Sequence, residues 1–393
     1  MAEDKNKIVA QRIENAIEQL ETKKSALYFF VTDCKNVPNS EMLYIYDMAL
    51  TLKELGYDVC MVYQLNNEYS KHELKKLEKA GKPIDNFRKF EGVGKWLGEK
   101  YAEIDHLNIA NSTWRVSPSD FLFIPEAFSS MMKETFEKGI PCKRIAVLQN
   151  FKYVTEFIPY GDQWMNYGIT DVIASNDNQK RLIESVFPYI KCSVVNPYIQ
   201  ECMRKPAVAK KLIVNIASTK SSDVEHIIKT FYWKYPLMQF VTFRSLRNLT
   251  VTEYSDMLKE GCITIWHDPD TPFGRSAIDA IKCGNIVIGK VPEIIPEWMV
   301  DDNGEILNNG VWYSSIEQVP DILARVIGSW MRDEVPTEIY GEMNKTAEKY
   351  TYAEWKDGLN AYVEEKLKER ADYFRELKKN VENKIEKETV ENE

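Results

Sequence analysis

The chain has little that would tie it to a membrane, an oxidising compartment or a structural metal. Its seven cysteines, at 34, 60, 142, 192, 202, 262 and 283, form no Cys-x-x-Cys pair. An odd, unpatterned set argues against a disulfide framework or a zinc site and fits free thiols in a reducing compartment. Histidine is scarcer, at four residues, and His72, His106 and His226 show no partner pattern. No apolar run reaches the ~18 residues that a membrane-spanning helix needs. Met1-Ala2-Glu3-Asp4-Lys5 has no apolar core of the secretory kind. Positive charge is not in excess either: 51 Lys and Arg stand against 60 Asp and Glu, a net charge of -9. That balance argues against a general nucleic-acid-binding surface and leaves room for a local basic cleft. No internal repeat is visible. The expectation is a cytoplasmic enzyme or binding protein.

What is present is an alternation of apolar strands and amphipathic helices. The 393 residues, 44% hydrophobic, are enough for two domains of roughly 150–200 residues each. Ala26-Leu27-Tyr28-Phe29-Phe30-Val31 is a near-continuous apolar run, typical of a parallel strand buried on both faces. A helix is expected from Glu41 to Leu55, with Gly56 as its cap, and a strand over Tyr57 to Tyr63. Further strands are read at 121–124, 144–148, 171–174 and 192–195. The pattern restarts at Leu212 to Ala217, after a polar, basic stretch with Pro206. Strands follow at 239–243 and 261–266. From Ala353 onward, Trp355, Leu359, Tyr362, Val363 and Leu367 mark a final amphipathic helix with a charged tail. The fold class expected is α/β, as two doubly wound, Rossmann-like domains over 1–205 and 206–345. Residues 346–393 would cross back to the first domain.

One stretch organises the rest. Gly261 to Trp266 reads as a buried strand, and Asp268 to Gly274, rich in Asp, Pro, Thr and Gly, as a loop. Ser276 to Lys282 has helical spacing, Gly284 is a C-cap, and Asn285 to Gly289 is the next strand. A helix N-terminus offers unpaired N–H groups and partial positive charge, so this βαβ turn can hold a phosphate. Gly274 lets backbone approach a ligand. Asp279 lies five residues further on and can accept hydrogen bonds from a ribose.

Thr271-Pro272-Phe273-Gly274-Arg275-Ser276-Ala277-Ile278-Asp279-Ala280, followed by Gly284 and an apolar strand, resembles the nucleotide-sugar motif of GT-B glycosyltransferases. The likeness is to the family-4-like (glycosyl transferases group 1) retaining enzymes. Their motif has an acidic residue, then x-Phe-Gly, then a second acidic residue eight positions after the first. Here Phe273, Gly274, Asp279, Ala280 and Gly284 fall in register. Thr271 stands at the first acidic position, with Asp270 beside it as a substitute. Asp279 replaces the usual Glu. Ala217-Ser218-Thr219-Lys220 sits where the family has its Arg/Lys phosphate-binding loop, with Lys220 but no Arg beside it. Arg244, Arg247 or Arg275 would supply the missing charge.

The resemblance implies transfer of a sugar from a nucleotide diphosphate sugar, UDP- or GDP-linked, to an acceptor hydroxyl. It implies a retaining, metal-independent reaction with no further cofactor. Asp270, Thr271 and Arg275 would be catalytic, and Lys220, Arg244, Phe273, Gly274, Arg275, Ser276 and Asp279 would hold the donor. On the acceptor side the candidates are the strand-end residues Thr32, Asp33, Glu126, Gln149 and Asn150, with His106 near the donor. The acceptor stays open: a glycan, a lipid-linked sugar, a small molecule, or hydroxylated bases in DNA, as in phage enzymes of this architecture. A non-catalytic nucleotide-sugar-binding protein of the same fold is the rival from outside the enzyme class. An epimerase of that fold fits less well, because no matching His and Glu pattern is evident.

Overall fold

The computed structural model describes residues 2–391 apart from 67, 82–87, 111–113, 219 and 269–270; at 2–7, 221 and 384–391 only the backbone is described. The first sheet has seven parallel strands: β1 (Ala26–Phe30), β2 (Asp58–Tyr63), β3 (Asp105–Asn108), β4 (Phe121–Pro125), β5 (Lys143–Leu148), β6 (Asp171–Ala174) and β7 (Lys191–Val194). Their order is β3-β2-β1-β4-β5-β6-β7. β1 sits mid-sheet. Leu27 and Phe29 join one apolar cluster while Phe30 joins the other, so the strand is apolar on both sides because helices cover both faces.

The second sheet is also parallel: β8 (Lys211–Ala217), β9 (Thr242–Ser245), β10 (Gly261–Trp266), β11 (Ile286–Lys290) and β12 (Val311–Tyr313), in the order β12-β11-β10-β8-β9. β10 pairs with β11 from Ile263↔Ile286 to Trp266↔Gly289 and with β8 up to Trp266↔Ala217. The strand order reverses between β1 and β4 in the first sheet and between β8 and β10 in the second. In such sheets the crevice beyond the strand C-termini at the reversal is where ligands bind.

Two strands lie outside the sequence reading, and one is displaced. β3 is polar (Asp105-His106-Leu107-Asn108) and β12 has three residues; each pairs on one side only. β9 begins at Thr242 and not at Gln239, because Pro236–Met238 forms a 3-10 turn that uses up the preceding residues.

The final helix, Tyr352–Glu391, packs on the first domain. Trp355, Leu359, Tyr362, Val363 and Leu367 are buried with Leu27, Tyr44 and Tyr57, and Trp355 Nε1 donates to Thr51 Oγ1 at 2.9 Å. The helix runs antiparallel to the first one, Ala2–Glu21; Arg375 pairs with Glu21 and Lys378 with Glu14. Lys366 is buried against Asp171 and Glu369, both at 3.0 Å. Among the described residues no helix is long and apolar enough to cross a membrane.

Candidate functional site

The turn after β10 is built around Gly274. Its φ of 70° and ψ of 40° are left-handed, and a Cβ there would lie 2.9 Å from Trp266 Cζ2 and 3.0 Å from Trp298 Cζ2. Only glycine meets both demands. Trp298 Nε1 donates to the Phe273 carbonyl at 2.6 Å, and the Phe273 ring is buried edge-on to Tyr350. Trp266, Trp298 and Trp312 contact one another beneath the turn. Phe273 and Gly274 thus fix where the helix Arg275–Lys282 starts, at the reversal point between β8 and β10. Arg275 and Ser276 lie in its first turn, whose N–H groups have no acceptor within the helix.

Two cavities flank this helix start, between the domains. One, about 360 Å³, is lined by Ser40, Leu43 and Trp96 from the first domain and by Arg247, Tyr254 and Asp279 among others from the second. The other, about 380 Å³, is lined by Glu41, Gln149, Asn150, Lys152 and Tyr153 on the first-domain side. Ser40, Asp268, Thr271 and Arg275 belong to both, so the two compartments meet there.

The charge at that seam is shared across the domains. Arg275 donates through both terminal nitrogens to Asp47 Oδ2, at 3.3 and 3.4 Å. Asp47, 1% exposed, comes from the first-domain helix Ser40–Glu54 and also accepts the Tyr101 hydroxyl at 2.8 Å and that of Tyr198 at 3.3 Å. Burial works against the Arg275 charge, but Asp47 and Asp279 outweigh it and hold its pKa above the ordinary value. Asp279 is 5% exposed and its Oδ1 has no hydrogen-bond partner among the described residues. Burial, opposed by Arg275, pushes its carboxyl up to about 6.

The remaining sequence candidates are placed as follows. Thr271 lies at the seam and its hydroxyl donates to Asp268 Oδ2 at 2.6 Å. Asp270 and Thr219 lie outside the described residues. Lys220 is exposed at the start of the helix Ser221–Lys234. Arg244 is not brought to the cleft: it pairs with Glu260 at 2.5 Å and donates to the Met257 carbonyl at 2.9 Å, at the opposite edge of the sheet. Glu260 ends the helix before β10, so it draws Arg244 to the N-terminal end of that strand. Arg247, by contrast, lines the first cavity.

Of the acceptor-side candidates, Gln149 and Asn150 face the second cavity. Glu126 is buried behind them, accepting their N–H groups at 3.1 and 2.7 Å, and burial lifts its pKa to about 8. Thr32 and Asp33 line a separate first-domain cavity. Asp33 Oδ1 is occupied by the N–H groups of Lys35, Glu91 and Gly92. His106 lines neither interdomain cavity. Its Nε2 meets Tyr46 Oη at 2.8 Å and its Nδ1 the Ile104 carbonyl at 2.5 Å, and burial lowers its pKa. His267 is likewise enclosed, between Tyr313 Oη at 2.7 Å and Asp223 at 3.4 Å. Among the described residues no group of three His, Cys, Asp or Glu is placed to hold a metal ion.

Sequence reasoning missed Asp47, Glu41, Tyr153 and Tyr254. The structure shows Asp47 as the one carboxylate in a helical run, Met42 to Leu52, that is buried throughout.

No protein-family model and no curated protein matches the chain. Solved structures do. Sucrose-phosphate synthase from Thermosynechococcus elongatus aligns over 87% of this chain and 98% of its own, with a TM-score of 0.57 at 8% identity. The fold is GT-B. The pneumococcal O-GlcNAc transferase GtfA, solved with UDP and GlcNAc, aligns over 87% of this chain and 99% of its own, at a TM-score of 0.56 and 8% identity. Anabaena HepE, solved with UDP and glucose, covers 88% and 100%, at 0.56 and 13%. In the GT-B frame, the cleft holding Asp47, Arg275 and Asp279 is the space between the two Rossmann-like halves.

Proposed function

We propose that this chain is a glycosyltransferase that moves a sugar from a nucleotide diphosphate sugar to an acceptor hydroxyl. The observation that carries the reading is Asp279: a buried carboxylate with an unpartnered oxygen, one helical turn from Arg275, facing an interdomain cavity at the strand-order reversal. A donor of that class supplies what each feature lacks. Ribose hydroxyls satisfy Asp279, and the diphosphate takes the guanidinium of Arg275 and the N–H groups of the first turn. In the transfer the bond from the anomeric carbon to the diphosphate oxygen breaks, a bond to the acceptor oxygen forms, and the acceptor hydroxyl's proton passes to the leaving diphosphate. Negative charge grows on the leaving diphosphate. Cations and a helix N-terminus already aimed there stabilise that state more than the ground state. Arg247, on the wall of the first cavity, supplies a second cation, and Lys220 lies exposed at the start of the helix Ser221–Lys234.

The resemblance adds that the reaction is retaining and metal-independent. UDP is the preferred nucleotide, since GtfA and HepE were both solved with it. The second cavity, with Glu41, Asn150 and Tyr153, takes the acceptor. A thermal-shift screen of UDP-, GDP-, ADP- and dTDP-sugars tests the reading. A donor at ~100 times its Kd stabilises the fold by about 2.7 kcal/mol. The donor that shifts the wild type is also slowly hydrolysed, and Asp279→Ala abolishes both effects. A protein that no nucleotide sugar shifts is not this enzyme.

A further inference from the structure

The helix after β5, Phe151–Phe157, carries more aromatic surface than its core contact uses. Asn150 starts it, its side chain accepting the Lys152 N–H at 3.1 Å. Val154 is buried in the first-domain core, with Phe151 and Ile158 packed beside it. Tyr153 and Phe157, one turn apart, form a second stripe outside that contact. Tyr153 lines the second interdomain cavity. Its ring centre lies 6.0 Å from that of Phe157, which is 45% exposed. Three residues further on, at most about 11 Å of chain, Tyr160 is fully exposed. That exposure is fixed by a tight turn. The Asp162 N–H donates to the Pro159 carbonyl at 3.1 Å, and Gly161 is left-handed at φ 86°. Asp162 Oδ2 accepts from the Tyr167 hydroxyl at 2.8 Å and from Lys133 Nζ at 3.3 Å. Three rings therefore lead along one segment from a cavity wall to open solvent.

The charge beside them is mostly negative. Glu41, Glu156 and Asp268 line the cavity with Lys152, while the Arg275 charge is held by Asp47. At the outer end Lys133 is paired with Asp162. Such a surface repels phosphates, which disfavours a nucleic acid or an anionic lipid headgroup. Carboxylates accept from hydroxyls, and aromatic rings offer flat apolar faces. A sugar has the matching pair, a hydroxyl edge and an apolar C–H face. We propose that the acceptor is an uncharged glycan of two or more sugar units, whose terminal sugar enters the second cavity against Tyr153 and whose following units lie along Phe157 and Tyr160. The proposal rests on the glycosyltransferase reading and names the acceptor class for it.

The test is retention on an array of neutral and anionic oligosaccharides, from single sugars to longer chains, with UDP present. Wild type, Tyr160→Ala and Phe157→Ala are compared, beside their binding to vesicles of phosphatidylcholine and phosphatidylglycerol. The wild type retains neutral chains and holds them about tenfold more tightly than the single sugar of the same kind. Tyr160→Ala, at a fully exposed position, keeps the thermal midpoint. It weakens the longer chains about three- to tenfold and leaves the single sugar as before. Phe157→Ala does the same. A structural role would lower the midpoint or weaken every glycan alike, and that result overturns the proposal. So does a wild type that holds single sugars as tightly as chains, or one that retains no neutral chain. Vesicle binding by the wild type that Tyr160→Ala abolishes assigns the rings to a membrane and overturns it too. The thermal shift with nucleotide sugars separates this proposal from the reading beneath it. A shift without glycan retention removes the proposal and leaves the donor site. Glycan retention without a shift removes the transferase and leaves a glycan-binding surface.

Discussion

At the scale of single residues the site is a contest of two carboxylates for one guanidinium. Asp47 holds Arg275 by two hydrogen bonds, and Asp279 has only the field of that cation. Burial therefore dominates at Asp279 and its carboxyl titrates near 6. Only the ionised form accepts from both ribose hydroxyls. The shift is upward, so the folded protein binds this proton more tightly than the unfolded chain does. Asp279 thus lowers stability as pH rises from about 4 to about 6. Ligand affinity moves the other way. One unit below its pKa about one carboxyl in ten is ionised. UDP affinity is expected to fall about tenfold from about pH 7 to about pH 5, followed by calorimetry, and to stay flat over that range in Asp279→Asn. An equal slope in wild type and variant would assign the titration elsewhere. Asp279 and Gly274 were legible in the sequence because the turn is local, seven residues of chain around one helix start. Asp47 was not, because its partner is 228 residues away. Asp33 looked like a site residue because it follows a strand end, and His106 because it is a first-domain histidine expected near the donor. Their polar atoms turn out to be spent on neighbouring N–H, hydroxyl and carbonyl groups.

At the scale of elements, the alternation of strand and helix could be read because central strands are apolar on both faces. The strands β3 and β12 could not, since β3 is largely polar (Asp105-His106-Leu107-Asn108) and β12 has only three residues. The helix Arg275–Lys282 shows how an element is aimed. Its start depends on a left-handed glycine wedged between two tryptophans, so Gly274→Ala meets two penalties. The backbone conformation costs an L-residue about 1–2 kcal/mol. Overpacking against Trp266 and Trp298 adds about 1–3 kcal/mol. The expected result is a loss of roughly 2–5 kcal/mol, read as a lowered urea midpoint, with donor affinity falling in step as the helix start shifts. A variant with the wild-type midpoint would mean that the indoles can give way, and that the turn is not a fixed aiming device.

At the scale of the whole molecule, three of the ties between the two Rossmann-like halves bear on the cleft. The helix Tyr352–Glu391 crosses back into the first core. Asn178 of the first domain meets the second through Glu297 at 2.9 Å and the Ile295 carbonyl at 2.7 Å. Asp47 holds Arg275. The last of these lies in the cleft itself, so it links closure to the charge that faces the donor. Removing one partner of a buried ion pair typically costs about 3–5 kcal/mol, because the survivor is left charged and dry. Parting of the two domains would let water reach Arg275, so the loss is expected to appear as opening before it appears as unfolding. Asp47→Ala is expected to enlarge the radius of gyration in small-angle scattering and to raise donor hydrolysis relative to transfer, since closure is what excludes water. Asn178→Ala removes the side-chain bond to the Ile295 carbonyl, outside the two cavities, and keeps the backbone N–H to Glu297; it should open the molecule less and leave Arg275 paired, so its donor affinity stays near wild type. Asp47→Ala should lose affinity as well, because the freed guanidinium has Asp279 as its remaining carboxylate and would compete with the ribose for it. If the two variants open alike and bind donor alike, the Asp47–Arg275 pair is a hinge contact and carries no message to the site.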